Sequence, residues 1–243
     1  VTIPYKSAVL GLVDEVEDIA KDIGAVNTIY RDEHGQVIGA NTDAPATVAC
    51  TEQVAGTIHN KRVLILGAGG VGRAIAFAMQ AAGGTVTIAN RSVDKAEALA
   101  EEVGCSFCSL TEALEQTYDI LINGTSVGMG TADSPWPADR HRPDSIVFDT
   151  VYTPLETRLL HDASQRSCQT ICGLSMLIRQ ALGQFERWTG LEAPAPLMQR
   201  MALEHLGMDW PEGLCCQNDD SGVQKIIGQG SSGTKRSATE LIQ

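Results

Sequence analysis

Val63-Leu64-Ile65-Leu66-Gly67-Ala68-Gly69-Gly70-Val71-Gly72-Arg73-Ala74 joins four consecutive apolar residues to a helical pattern through closely spaced glycines. An apolar run of that length suits a strand buried on both faces, and residues 74–82 are apolar enough for a helix packed back onto it. Gly67, Gly69 and Gly72 supply GxGxxG spacing. The first glycine permits a tight turn, the second lets the backbone approach a pyrophosphate, and the third lets helix and strand pack closely. The helix N-terminus then faces the phosphates with unpaired amides. Alone, the motif also fits a flexible turn. With strand and helix flanking it, the motif reads as a dinucleotide site, with Gly67, Ala68, Gly69, Gly70 and Val71 against the cofactor.

Thr85-Val86-Thr87-Ile88-Ala89 reads as the next strand. NAD enzymes usually place an acid at its end for the ribose hydroxyls; here stand Asn90, Arg91 and Ser92, with Lys95 one helical turn on. A guanidinium at that position pairs with a 2′-phosphate, so NADP(H) is the expected cofactor. The same residues also fit a helix start capped by Ser92 with solvated cations.

The 243 residues are 43% hydrophobic, enough for a sizeable core, and carry a formal charge of −12. That charge argues against nucleic acid as a partner and makes any phosphate recognition local. No apolar run reaches the roughly 18 residues of a membrane span, and no signal-peptide pattern opens the chain. The expectation is a cytoplasmic protein, or a plastid one if a targeting segment precedes Val1. The seven cysteines are odd in number and scattered, which argues against a disulfide framework. Cys105 and Cys108 have zinc-knuckle spacing that Cys168 and Cys172 could complete, but both pairs lie in strand-like runs and no metal is expected. His34, His59, His141, His161 and His205 all sit among polar neighbours and read as solvated.

Along the chain, apolar residues at helical spacing occupy residues 8–13, and a second helical stretch takes in Val16, Ile19, Ala20 and Ile23 before Gly24. Residues 26–30 and 37–40 read as a hairpin around Gly35. A helix follows to about Val54, with Asp43 as N-cap and Pro45 in its first turn. From Arg62 strand and helix alternate, which implies a parallel sheet. Residues 124–143 form a long loop, usually a functional feature. Residues 211–243 are polar and Gly/Ser-rich, and disorder is expected there. The fold class is α/β: a Rossmann-type parallel-sheet domain at 56–172 and a smaller α/β substrate domain at 1–55. Helices at 173–210 return to the latter.

Taken alone, Lys6 reads as a solvated lysine, Asp43 as a helix cap, and Asn27 and Thr28 as strand residues. Together, Val1-Thr2-Ile3-Pro4-Tyr5-Lys6, Ile23-Gly24-Ala25-Val26-Asn27-Thr28, Asn41-Thr42-Asp43 and the glycine loop closely resemble the shikimate dehydrogenase family in order and spacing. The resemblance continues through Asn90-Arg91-Ser92, Asn123-Gly124-Thr125-Ser126-Val127-Gly128-Met129, Asp149-Thr150-Val151-Tyr152-Thr153-Pro154 and Gly173-Leu174-Ser175-Met176-Leu177-Ile178-Arg179-Gln180. The last segments look most like the dehydrogenase half of proteins fused to dehydroquinate dehydratase. The resemblance implies reversible, NADPH-dependent reduction of 3-dehydroshikimate to shikimate in aromatic amino-acid synthesis. It implies Lys6 and Asp43 as catalytic pair, and Thr2, Asn27, Tyr152 and Gln180 with them at the substrate. Asn123, Thr125, Thr150 and Gly173 would flank the nicotinamide.

The family carries a strand, a helix and a Ser-x-Ser-Pro segment before the Val-Thr-x-Pro-x-Lys motif, and this sequence has neither. It has Ala46 where the family usually has Gly. The substrate domain is therefore expected to be incomplete, the chain to bind NADPH but be catalytically feeble or inactive, and a dehydratase domain to be an upstream partner. The competing readings are a quinate or shikimate dehydrogenase using NAD, and a non-catalytic metabolite-binding module. Arg91 argues against the first, and the retained Lys6 and Asp43 against the second.

Overall fold

The computed structural model describes residues 1–2 and 5–207, so the tail at 211–243, Cys215 and Cys216 lie outside the described residues. Six strands form one parallel sheet: β4 (Arg62–Leu66), β5 (Thr85–Asn90), β6 (Ser106–Ser109), β7 (Ile120–Asn123), β8 (Ile146–Asp149) and β9 (Gln169–Ile171). Their spatial order is β6-β5-β4-β7-β8-β9. Chain order thus reverses between β4 and β7, the point in such sheets where a crevice opens at the carboxyl ends of the strands. A smaller sheet holds β1 (Glu15–Val16), β2 (Thr28–Arg31) and β3 (Val37–Ala40) in the order β1-β3-β2, with β2 and β3 the expected antiparallel hairpin.

Alternation along the strands decides what each face buries. Val63, Ile65, Ile88, Ile122 and Phe148 meet Cys50 of α2 (Asp43–Ala55), Ile75 and Met79 of α3 (Gly70–Ala81) and Leu99 of α4 (Val93–Val103). Leu64, Leu66, Leu121 and Val147 point the other way. They meet Ala113 of α5 (Leu110–Ala113), Leu159 and Leu160 of α6 (Arg158–Ser164), Leu174 and Ile178 of α7 (Gly173–Thr189) and Ala195 of α8 (Ala195–Leu206). Each large side chain so buried contributes roughly 1.5–3 kcal/mol, and a one-residue slip in register would turn every one to the wrong layer.

Several expectations are corrected. Residues 8–13 contain only a 3-10 turn at Ala8–Gly11, and Val16 belongs to β1, paired with Gly39, so that α1 is confined to Asp18–Ile23. Asp43 does not cap α2. The Asn41 carboxamide does, accepting from Asp43 N at 3.0 Å and Ala44 N at 3.1 Å, which leaves the Asp43 carboxylate free. Ser92 stands at the N-cap of α4 without a side-chain cap bond. His141 is not solvated: it is 4% exposed. The zinc quartet weighed as an alternative does not assemble. Cys108 lies on one edge strand, β6, and Cys172 follows the opposite edge strand, β9, and among the described residues no cluster of metal-ligating side chains occurs.

Two helices belong to both sheets. α2 starts at the small sheet and buries Ala46 and Cys50 against the large one. α7 buries its first half in the large sheet; its second half reaches β2, where Gln184 Nε2 donates to Thr28 Oγ1 at 3.2 Å and Trp188 Nε1 to the Ile29 carbonyl at 2.9 Å. Arg187 grips Glu17 with two bonds of 2.9 Å, and Tyr30 Oη donates to the same carboxylate. No described helix is long and apolar enough to cross a membrane.

Candidate active site

The first glycine turn forms one wall of a cleft of about 680 Å³ between the two sheets. Gly67 has φ +106°, and a Cβ there would come within 2.7 Å of Thr125 Cγ2. A Cβ on Gly72 would overlap the Gly67 carbonyl, so helix and strand approach as closely as the spacing predicts. Around Gly69 and Gly70, by contrast, a Cβ would meet nothing within 4 Å. The start of α3 is therefore open, with first-turn amides that lack helical acceptors. That open, amide-rich cradle fits a pyrophosphate.

The neighbouring loop is fastened from below. Asn123 is fully buried. Its Nδ2 donates to Asp149 Oδ1 at 2.9 Å, and its Oδ1 accepts from Thr125 N at 3.0 Å and Thr125 Oγ1 at 2.7 Å. Asp149 also accepts from Thr157 Oγ1 at 2.6 Å and Val151 N at 3.0 Å. Burial pushes the Asp149 carboxyl up from its ordinary value, and these three donors pull it back.

On the opposite wall Lys6 Nζ lies 2.7 Å from Asp43 Oδ2, with side chains 17% and 12% exposed. The pair is thus shielded from bulk water yet borders the cleft. Cap geometry explains why: with Asn41 holding the amides of α2, the Asp43 carboxylate is left to the ammonium. Asn27 Nδ2 donates to Thr42 Oγ1 at 3.0 Å, and Thr42 N donates back to Asn27 Oδ1 at 2.9 Å.

Of the residues singled out in the sequence, Thr2, Lys6, Asn27, Asp43, Tyr152 and Gln180 border this cleft. So do Gly67, Ala68, Gly69, Gly70, Val71, Asn90, Thr125, Thr150 and Gly173. Asn123 does not; it builds the loop that does. Arg91, Ser92 and Lys95 follow Asn90 on the exposed start of α4, outside the cleft lining. Sequence reasoning missed Gln184, which lines the cleft with Met176, Leu177 and Gln180. The spacing of those four along α7 is a helical stripe, and a second glutamine at i+4 was its signal.

A parallel sheet with the order β6-β5-β4-β7-β8-β9, an open glycine turn at its reversal point and a shielded ammonium–carboxylate pair across the cleft define a Rossmann-type dinucleotide-binding protein. Family models agree segment by segment. Residues 1–29 match the shikimate dehydrogenase substrate binding domain, 49–130 shikimate / quinate 5-dehydrogenase, and 173–202 the shikimate 5'-dehydrogenase C-terminal domain. The chain is 45% identical over 210 residues to a shikimate dehydrogenase (NADP(+)) of Haloarcula marismortui, covering 85% of this chain and 78% of that protein. It is 39% identical to the chloroplastic bifunctional 3-dehydroquinate dehydratase/shikimate dehydrogenase of Arabidopsis thaliana, covering 81% of this chain and 36% of that protein. Among solved structures, shikimate 5-dehydrogenase of Thermus thermophilus in complex with NADP(H) and shikimate matches with TM-score 0.75 and 40% identity, over 83% of this chain and 76% of that one. The chain belongs to the shikimate dehydrogenase family.

Proposed function

We propose that this protein is an NADP-dependent shikimate dehydrogenase, interconverting 3-dehydroshikimate and shikimate. The observation that carries the reading is the Lys6–Asp43 pair at 2.7 Å, held across the cleft from the open glycine turn. When bound, NADPH supplies the hydride. Gly67, Ala68, Gly69, Gly70 and Val71 would hold its phosphates, Asn90 its ribose, and Arg91 with Lys95 and Ser92 its 2′-phosphate. Thr125, Thr150 and Gly173, which line the cleft, would border its nicotinamide. Neither Arg91 nor Lys95 is engaged in an ion pair among the described residues, so both cations are available.

Lys6 is placed to stabilise the charge growing on the carbonyl oxygen and to deliver a proton from Nζ. Asp43 orients that ammonium through Oδ2 and leaves Oδ1 for a ring hydroxyl. Thr2, Asn27, Tyr152 and Gln180 would hold the remaining substrate oxygens, and the low exposure of Lys6 and Asp43 limits competition from water.

The test is Lys6→Met. Removing the proton donor should lower kcat by roughly a hundredfold or more while NADPH affinity is retained. A variant with unchanged kcat would move the acid elsewhere.

A further inference from the structure

Five side chains, from α7, from β2 and from the residues just before β2 and α2, form a hydrogen-bonded arc behind the cleft: Gln184, Thr28, Asn27, Thr42 and Gln180. We propose that Thr28 and Thr42 are positioning residues that fix the polarity of the substrate wall, so that Asn27 and Gln180 present N–H donors to the ligand. This rests on the substrate reading above and specifies its chemistry: oxygens facing this wall must accept.

The order of donors follows from one unambiguous group. Thr42 N carries a hydrogen and lies 2.9 Å from the Asn27 carboxamide, so the atom it meets is the oxygen, Oδ1. Thr28 Oγ1 donates to the same Oδ1 at 2.8 Å, which fills both lone pairs. Asn27 Nδ2 then donates to Thr42 Oγ1 at 3.0 Å. The single Thr42 hydroxyl proton has two acceptors within reach, Asn27 Oδ1 at 3.3 Å and Gln180 Oε1 at 3.4 Å. The first is already filled, so the proton goes to Gln180.

Gln180 Oε1 is thereby committed, and its Nε2 is left with two protons for the cleft that Gln180 lines. Asn27 keeps one amide proton. At the other end Gln184 Nε2 spends one proton on Thr28 Oγ1 at 3.2 Å and keeps one. Thr28 and Thr42 are each 1% exposed and do not line the cleft, so they act only through these amides. The Thr42 amide still holds the Asn27 oxygen when either hydroxyl is lost, but Gln180 is then released: directly without the Thr42 hydroxyl, or because a half-filled Asn27 Oδ1 draws that hydroxyl's proton away when Thr28 is lost, and the freed carboxamide can turn an oxygen to an oxygen.

The experiment compares Thr28→Val and Thr42→Val with Thr28→Ser and Thr42→Ser. Each Val variant should raise KM for 3-dehydroshikimate about tenfold, with kcat and the NADPH dissociation constant within about twofold and the Ser variants near the unmodified protein. Folded Val variants with an unchanged KM, or Ser variants that behave like Val, would overturn the proposal. Should the Val variants not fold, side-chain amide exchange in the unmodified protein decides. The Asn27 signal, assigned by its loss in Asn27→Ala, should show one slowly exchanging proton. Two freely exchanging protons would overturn the arc. If the unmodified chain neither bound nor reduced 3-dehydroshikimate, the substrate reading itself would fall and this proposal with it. Turnover with unaffected Val variants overturns this proposal alone.

Discussion

His141 carries two ring nitrogens, both buried and neither with a hydrogen-bond partner among the described residues. Burial drives its pKa down from 6.5 to about 4; Asp162 pulls it up a little and Arg166 pushes it further down. The unfolded chain therefore takes up a proton as pH falls below 6.5, and the folded one does so only near 4. Stability is full above that window and drops through it, by up to ~1.4 kcal/mol per pH unit. His141→Leu should flatten the pH dependence of urea unfolding between about pH 6 and 5 by about 1 kcal/mol. An unchanged slope would assign the effect to other groups. Arg91 makes a second residue-scale prediction: Arg91→Ala should weaken NADPH by roughly 10- to 100-fold and NADH little, since a charge-assisted contact is worth about 1.5–3 kcal/mol. Titration of both cofactors checks it, and equal losses would contradict the 2′-phosphate assignment.

At the scale of elements, the glycine turn is the joint on which β4, α3 and β7 meet. A Cβ at Gly72 would overlap the Gly67 carbonyl, and one at Gly124 would lie 3.0 Å from Gly72 Cα. Gly72→Ala should therefore displace α3 from β4, lowering both NADPH affinity and thermal stability. Gly70→Ala, where a Cβ has open space, should leave thermal stability nearly unchanged. Parallel losses of thermal stability in the two variants would contradict this geometry. The large sheet was legible because strands buried on both faces read as apolar runs between helical periods. The segment at Val16 was not, since a two-residue strand has no period of its own. Its pairing with Gly39 is a tertiary contact that outweighs the helical spacing shared with Ile19 and Ile23. His141 misled for a similar reason: Arg140 and Arg142 beside it are polar, and only the fold turns the imidazole inward. Asp43 read alone is a cap. That role passes to Asn41 two residues earlier, and only the family resemblance indicated that the carboxylate was free for Lys6.

For the whole molecule, the site exists because α2 and α7 each serve both sheets. α2 brings Asp43 to Lys6 while its later turns sit on the large sheet, and α7 brings Gln180 to the cleft while Arg187 and Trp188 fasten the small sheet. The glycine turn and the ammonium–carboxylate pair are thereby set on opposite walls of one cleft. The most direct measurement follows cofactor absorbance as the protein is offered 3-dehydroshikimate, in parallel with 3-dehydroquinate, using NADPH and then NADH. The account predicts that oxidation with NADPH and 3-dehydroshikimate, however slow, exceeds that of every other pairing. A preference for NADH, or for the quinate-series ketone, would contradict it.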